Sequence, residues 1–535
     1  MSEHSRTVAY QPVHQSHAKQ RIRPFLVTSL MVASLIVASL AFAAQPTRAN
    51  TPQDEPTTTI VVDSLLDLPD TNPGNGICES DGGGCTLRAA IETAQGGFWP
   101  GADTIDLSGL SGTIFMNFGV YPAISEDLTI TGPADADTLW IDATGEHQHF
   151  VILSGVTVEI TSVRLNRGFG SLGGSISNAG VLTLSAVVIT NSSAFDDGGA
   201  IYSAPGSTTT IRMGSEIGRF DFSNTAQYGG AIYNDDGTVY IDDSSINNNS
   251  ATYNGGGIYN YAGSVYVDNY SVIENNYAGD YGGGIYNIAG GLVEISSSTI
   301  TDNQADADGG GIYNFYSTQT LTNATISGNS AKGNGGGILE ESTDTANLYN
   351  VTITNNVADS DADGIGNGGG IFVTGFINIA NSIAAQNEDR SPGTSPIHPD
   401  CSVGLVFYTS TNTHNLIGNG EGCTTLFVNG ASGNQVGTPS SPLDAVLGPL
   451  VFDPSGALMH AILNGSPAKE TGDPTSFGFS TSLRPQRVQA LPGWRVRSGW
   501  RQAAAADEQY QLDHRPPGQS RKWLLGLHGP GQGFG

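Results

Sequence analysis

Basic residues are scarce in this chain. Between Thr51 and Asp473 there are 8 Lys and Arg against 46 Asp and Glu, a difference of −38, whereas the whole 535-residue chain sums to −29. A body that acidic repels nucleic acid and polyanionic glycans unless metal ions intervene, so no nucleic-acid partner is expected. A 3.6-residue apolar period is also missing from the central repeats, which argues against a helical architecture. Cysteine occurs only four times, as two local pairs, Cys78 with Cys85 and Cys401 with Cys423. That spacing fits no zinc site. An even count in an exported chain suggests disulfides, and each pair would staple one end region. Gly and Pro together number 97, about 18%, which falls short of the disordered range.

What the chain has instead is a repeated phrase. It is clearest at Gly255-Gly256-Gly257-Ile258-Tyr259-Asn260 and at Gly282-Gly283-Gly284-Ile285-Tyr286-Asn287. The isoleucine closing the glycine run recurs at Ile176, Ile201, Ile232, Ile258, Ile285, Ile312, Ile338 and Ile371, at steps of 25, 31, 26, 27, 27, 26 and 33 residues. A period of this size is the signature of a solenoid. The span Gly282 to Ala305 serves as the type repeat, with three short alternating runs set between Gly, Ser and Asn. Such runs read as strands. Three strands per repeat predict one coil of an all-β parallel β-helix, stacked on the next at about 4.8 Å. The general bias of parallel crossovers predicts a right-handed one. Two asparagine series keep the same phase: Asn224, Asn249, Asn276, Asn303, Asn329 and Asn356, and Asn234, Asn260, Asn287 and Asn314. An Asn at the same corner of every coil can bond to its neighbours above and below, so both series are read as structural ladders.

The chain divides into five parts. Residues 1–50 hold a basic flank, an apolar run from Phe25 to Ala44 and small-residue exits, which describes an export signal or, if uncleaved, an anchor. Either way the remainder lies outside the cytoplasm, secreted or at the cell surface, and meets a membrane only through that segment. Residues 51–127 form an N-terminal capping region. Within it Leu87, Ala90, Ile91 and Ala94 fall at helical spacing and predict a short amphipathic helix over the open end of the stack. Residues 128–395 are the coils, 396–473 a closing region, and 474–535 an atypical tail with 8 Lys and Arg, 3 Asp and Glu and three of the five Trp. That tail is read as a poorly ordered, degenerate or out-of-frame end, with a basic anchoring tail as the alternative. A stack of this kind is expected to be a monomer.

Three segments carry resemblances. Cys78, Cys85, Leu87, Arg88 and Ala90, followed by Thr104-Ile105-Asp106-Leu107, resemble the module named for its Cys-Ser-Leu-Arg-Glu-Ala motif in bacterial exported proteins. Thr86 and Ala89 depart from that motif. The Gly-Gly-[Ala/Gly]-Ile phrase with its Asn series resembles the polymorphic outer-membrane protein repeats and, more broadly, the pectin-lyase-like β-helices. From Asn381 through Asp400-Cys401, Asn415-Leu416-Ile417-Gly418 and Cys423 to Gly465-Ser466-Pro467-Ala468, the chain resembles the choice-of-anchor Q region. The Asp-Ile-Gly-Ala-Phe-Glu-like ending of that pattern is missing. These resemblances imply a surface β-helix and transfer no chemistry.

Chemistry has three candidate locations. Tyr202, Tyr233, Tyr259, Tyr286 and Tyr313 each follow the inward isoleucine, so alternation places them on the outer face. They would form an exposed stripe able to stack sugars or meet a surface protein, or else a self-stacked ladder that stiffens the sheet. Asp359, Asp361 and Asp363, before Gly364, have the opening of a calcium loop, although Gly370 stands where such a loop has Glu. The alternatives there are structural calcium and a solvated acidic turn; no other cofactor is expected. Asp302, Asp306 and Asp308 form a weaker echo. Glycan cleavage needs gathered carboxylates, and adjacent pairs in or near turns of the repeats, Asp196-Asp197 and Asp242-Asp243, are the candidates. The Gly-His-Gly and Arg-Ile-Lys motifs of polygalacturonases are absent. The basic residues that a lyase would use are scattered, at Arg212, Arg219 and Lys332. The sequence therefore predicts a non-catalytic adhesion, structural or partner-binding role, with a polysaccharide lyase or hydrolase as the alternative.

Overall fold

The computed structural model describes residues 58–97, 101–342, 344–392, 397–404 and 412–473. The expected export segment and the 474–535 tail lie outside the described residues. Through the described body the chain winds as a parallel β-solenoid. The type coil runs Ile285–Ile288, Leu292–Ser296, Thr299–Thr301 and Gln304–Ala305 before returning to Ile312. These strands occupy four faces, called first to fourth in that order. Stacked over the molecule they make parallel sheets of 10, 13, 13 and 9 strands.

The third run of the repeat is thus two strands where the sequence predicts one. The break falls at Asp302, whose φ is +54°. The same corner carries Asn248, Asn275 and Asn355 at φ +54°, +53° and +58°, and Gly218 and Gly328 at +89° and +70°. Left-handed backbone costs least for Gly, Asn and Asp, so those residues mark the bend. The triple glycine has a different reason. Its first member, as at Gly282, needs φ +67°. The next two must let coils approach: a Cβ on Gly284 would stand 2.6 Å from the carbonyl oxygen of Gly311.

Isoleucines stack where the period places them. Ile258, Ile285, Ile312 and Ile338 are in register on consecutive strands, and all are fully buried. The asparagines form two hydrogen-bonded columns beside this core. In one, each Nδ2 donates to the Oδ1 of the next coil at 2.9–3.0 Å, from Asn224 through Asn249, Asn276, Asn303, Asn329 and Asn356 to Asn387. The same Oδ1 atoms also accept backbone N–H groups, so that Asn249 N donates to Asn276 at 3.0 Å. The other column runs Asn234, Asn260, Asn287 and Asn314 at 2.7–2.8 Å. Both columns end on a buried acid that the asparagine spacing does not reveal. Asn387 donates to Asp400 at 2.9 Å, and Asn314 to Glu340 at 3.0 Å. Burial pushes the Glu340 carboxyl well above its ordinary range and the Asp400 carboxyl up to about 6.

The ends are closed by unlike devices. The helix Leu87–Ala94 is capped by Thr86 and buries every residue but Glu92. Its Arg88 is buried against Asp67 at 2.8 Å, with further bonds to the carbonyls of Gly119 and Val120. Rungs already begin at Thr59–Val61, which pairs with Asp103–Asp106, and they continue to Gln435–Val436. Cys78 is bonded to Cys85 and Cys401 to Cys423, with Cα atoms 5.2 and 5.7 Å apart. Beyond Val436 the chain does more than close the stack. A hairpin of Leu447–Phe452 and Leu458–Ile462 folds back along the outer side of the third face. There Thr299 Oγ1 donates to Leu458 O at 2.5 Å, and Ser327 meets His460 Nε2 at 2.9 Å. Among the described residues no helix is long and apolar enough to cross a membrane.

Two outcomes follow from the columns. Asn276→Ala would orphan the buried N–H of Asn249, at a cost of about 1–3 kcal/mol, while Asn249 Nδ2 keeps the carbonyls of Ile217 and Asn247. Hydrogen exchange should speed up at Asn249 and adjoining coils and stay slow near the helix cap, because a solenoid is coupled only between neighbours. For Asp400, the folded carboxyl holds its proton more tightly than the unfolded one. Its contribution therefore falls as pH rises from 3.8 to about 6 and is flat above. Urea unfolding at pH 4 and pH 7 should show Asp400→Asn gaining on the wild type by up to about 3 kcal/mol across that window.

Candidate functional site: the tyrosine face

From Ile176 to Ile371 each first-face strand begins with an inward isoleucine, so the next residue points outward. Tyr202, Tyr233, Tyr259, Tyr286 and Tyr313 are therefore in strict register, one per coil, followed by Leu339 and Phe372. Their rings form a continuous column. Centroids lie 5.8 Å apart between Tyr202 and Tyr233, 4.8 Å between Tyr233 and Tyr259, 5.2 Å between Tyr259 and Tyr286, and 5.3 Å between Tyr286 and Tyr313. The Tyr233 and Tyr259 planes differ by 9°.

The column is outward but not an exposed stripe. Tyr259, Tyr286 and Tyr313 are only 9%, 6% and 6% exposed. Tyr228 and Tyr281, from the turns before the glycines, fold over them edge-on at 5.3 and 5.2 Å. Ile288 and Phe315 close the other side. Of the two arrangements the sequence allows, an open stacking stripe and a self-stacked ladder, the central rings take the second, with their faces turned on one another. Aromatic rings gain from such mutual contact, and no deeper core competes for them at this face. Accessible rings lie on the rim instead: Tyr253 and Tyr261 are 40% and 43% exposed.

Carboxylates surround the column. Tyr202 donates to Asp235 at 2.6 Å and Tyr313 to Glu341 at 2.7 Å. Burial, reinforced by these and other acids, raises the phenols of Tyr202, Tyr233, Tyr259, Tyr286 and Tyr313. Asp197 stands beside them, pushed up to about 6 by burial and then by Asp196 and Asp235. The sequence pointed to Asp196-Asp197, and to Asp308 only as part of an acidic echo, but not to Asp235, Asp280 or Glu341. The available signal was weak: Asp235 lies two residues beyond Tyr233, on the same side of its strand.

Of the remaining candidates, only Asp308 lies beside this face, near Tyr281 and Tyr313. Arg212 pairs with Glu159, and Arg219 with Asp137 and Glu216. Lys332 reaches Asp306 at 2.8 Å, which also accepts from Tyr277 at 2.8 Å. Asp242 accepts from Asn269, on the second face. Asp302 takes Thr301 Oγ1, and Asp308 takes Asn334, so the weaker acidic echo serves separate partners. Asp359, Asp361 and Asp363 do converge, with one oxygen of each within 4.8 Å of the others. Asp359 is fully buried, and its two oxygens accept the N–H groups of Asp363 and Gly364, both at 2.9 Å.

Comparison with known proteins gives a short result. Residues 243–261 and 297–314 match the Chlamydia polymorphic membrane protein repeat. Each stretch runs from the second-to-third-face corner to the tyrosine strand, so it contains one rung of the first asparagine column and one tyrosine of the face. No curated protein matches the chain. Among solved structures, a periplasmic alginate epimerase mutant is similar at 12% identity and a TM-score of 0.31, over 67% of this chain and 83% of that one.

The acidic turn yields a sharp expectation. Because its own backbone already satisfies Asp359, thermal unfolding should be the same in millimolar calcium and in EDTA. A rise in Tm with calcium that disappears in Asp361→Asn/Asp363→Asn would establish a bound cation there instead.

Proposed function

We propose that this is a surface-exposed or secreted β-helix protein that binds a partner along the tyrosine face without catalysis. One observation carries the reading: an aromatic column runs the length of five consecutive coils and ends in a rim of half-exposed rings. Aromatic rims of this kind suit protein or glycan contact, since they bury much area while few torsions are lost. The envelope location is supported by the two stretches that match a membrane-protein repeat, and by disulfides, which persist in oxidising compartments. The reading needs no cofactor and no partner subunit.

A hydrolytic reading is favoured by Asp197 alone, a half-buried acid held near 6 between two others. Turnover of any member of a glycan panel, seen as new reducing ends or unsaturated products and lost in Asp197→Ala, would replace the binding reading. The binding reading itself predicts that Tyr253→Ser/Tyr261→Ser keeps the wild-type Tm and loses attachment to the glycans or surface proteins that the wild type retains on an array. Equal attachment by the two proteins would refute it.

A further inference from the structure

The tyrosine face is short of one kind of group. The acids close enough to raise its phenols are Asp197, Asp235, Asp280, Asp308 and Glu341, and no Lys or Arg among the described residues acts on Tyr202, Tyr228, Tyr233, Tyr259, Tyr281, Tyr286 or Tyr313. All five acids are part-exposed. The few cations of the body are committed elsewhere. Arg88 lies inside the cap, Arg164 and Arg219 share Asp137 on the third face, Arg167 holds Asp142, Arg212 holds Glu159, and Arg390 holds Glu388. Lys332 stays at the edge, on Asp306, and Lys469 bonds Asn464 beyond the C-terminal hairpin.

The charged groups of the face are therefore all acceptors. An ionised carboxylate accepts and cannot donate, and the phenol hydrogens of Tyr202 and Tyr313 are already given to Asp235 and Glu341. A neutral sugar draws little from a row of charges, and it needs a bare ring face on which to stack. The central rings have turned their faces on one another. Ammonium and guanidinium groups are the complement, being donors only, and the arginine fork matches a carboxylate with two bonds. The placement adds to this. Of the six coils from Ile201 to Ile338, all but that of Ile258 bring one of these acids, Asp197, Asp280 and Asp308 before the glycine turns and Asp235 and Glu341 at the far end of their strands, so an extended chain laid along the stack passes between the two sets.

Resting on the partner-binding reading above, we infer that the partner is a polypeptide segment rich in arginine or lysine, held along the first face by Asp197, Asp235, Asp280, Asp308 and Glu341. The net charge of −38 between Thr51 and Asp473 steers such a segment to the molecule, and the tyrosine rim receives its aliphatic stems.

The test uses the full chain and a nona-arginine peptide, with binding followed by fluorescence anisotropy at rising NaCl. The wild type should bind at low salt and weaken as salt rises. Asp197→Asn/Asp235→Asn/Asp280→Asn should weaken binding by about tenfold or more, equivalent to 1.4 kcal/mol. Asp242→Asn/Asp268→Asn/Glu294→Gln removes equal charge from the second face and, at physiological salt, should leave binding within about twofold, because exposed charges more than roughly 8 Å apart are then largely screened. Equal loss in both triple variants would mean diffuse attraction and would overturn the assignment. So would no binding by the wild type, or a glucosamine oligomer that binds more tightly and is lost in the first triple variant. If array attachment still depends on Tyr253 and Tyr261 while nona-arginine is ignored, the face binds a partner and only its cationic nature is refuted.

Discussion

One hydrogen bond governs this structure: an asparagine amide donating to the same asparagine one coil further on. Each amide in the column from Asn224 to Asn387 gives and receives along the stack, and its oxygen also takes a backbone N–H at the corner. Corners of a solenoid have backbone groups that no sheet satisfies, and burying them unpaired costs more than any single packing contact returns. The column meets that need identically at every turn. Register follows from it, because a slip by one residue would break all the rungs together.

Register then determines everything that alternates. With the isoleucines inward, the tyrosines stand outward one above another. The ring column is a by-product of the same phase that builds the core. A tyrosine column cannot remain bare when flanking turns also bear tyrosine, so Tyr228 and Tyr281 fold onto it. Rigidity moves to the centre of the face and accessibility to its rim. The acids, with no room beneath the rings, collect around them, and that is how an aromatic surface comes to carry a strongly negative field.

The columns also terminate in a consistent way. Glu340 and Asp400 each stand where one more asparagine would continue the series. A carboxyl at the last rung accepts the final amide without requiring a further acceptor beyond it. Burial opposes ionisation and raises both carboxyls, a cost that the hydrogen bonds they accept offset in part. The C-terminal hairpin serves an analogous purpose for the third face, covering with Leu458 and His460 outward positions that would otherwise be wet.

Much of the architecture was legible in one dimension because a solenoid is nearly one-dimensional itself. Ile258, Ile285 and Ile312 at steps of 27 residues predict stacking without knowledge of any distant contact, and Asn249, Asn276 and Asn303 predict a ladder on the same ground. Helical spacing of Leu87, Ala90, Ile91 and Ala94 was equally readable, since it is local. The split of the third run at Asp302 was less so: an Asp-Asn pair reads as a polar stretch until its φ is known. Sequence periodicity by itself determined the β-helix, its core and the outward direction of the tyrosines. Only the tertiary structure decided which tyrosines are covered, which acids gather about them, and how far the C-terminal hairpin runs back over the coils. Those outcomes depend on how turns and tails lie across neighbouring coils, and no repeat spacing encodes that path.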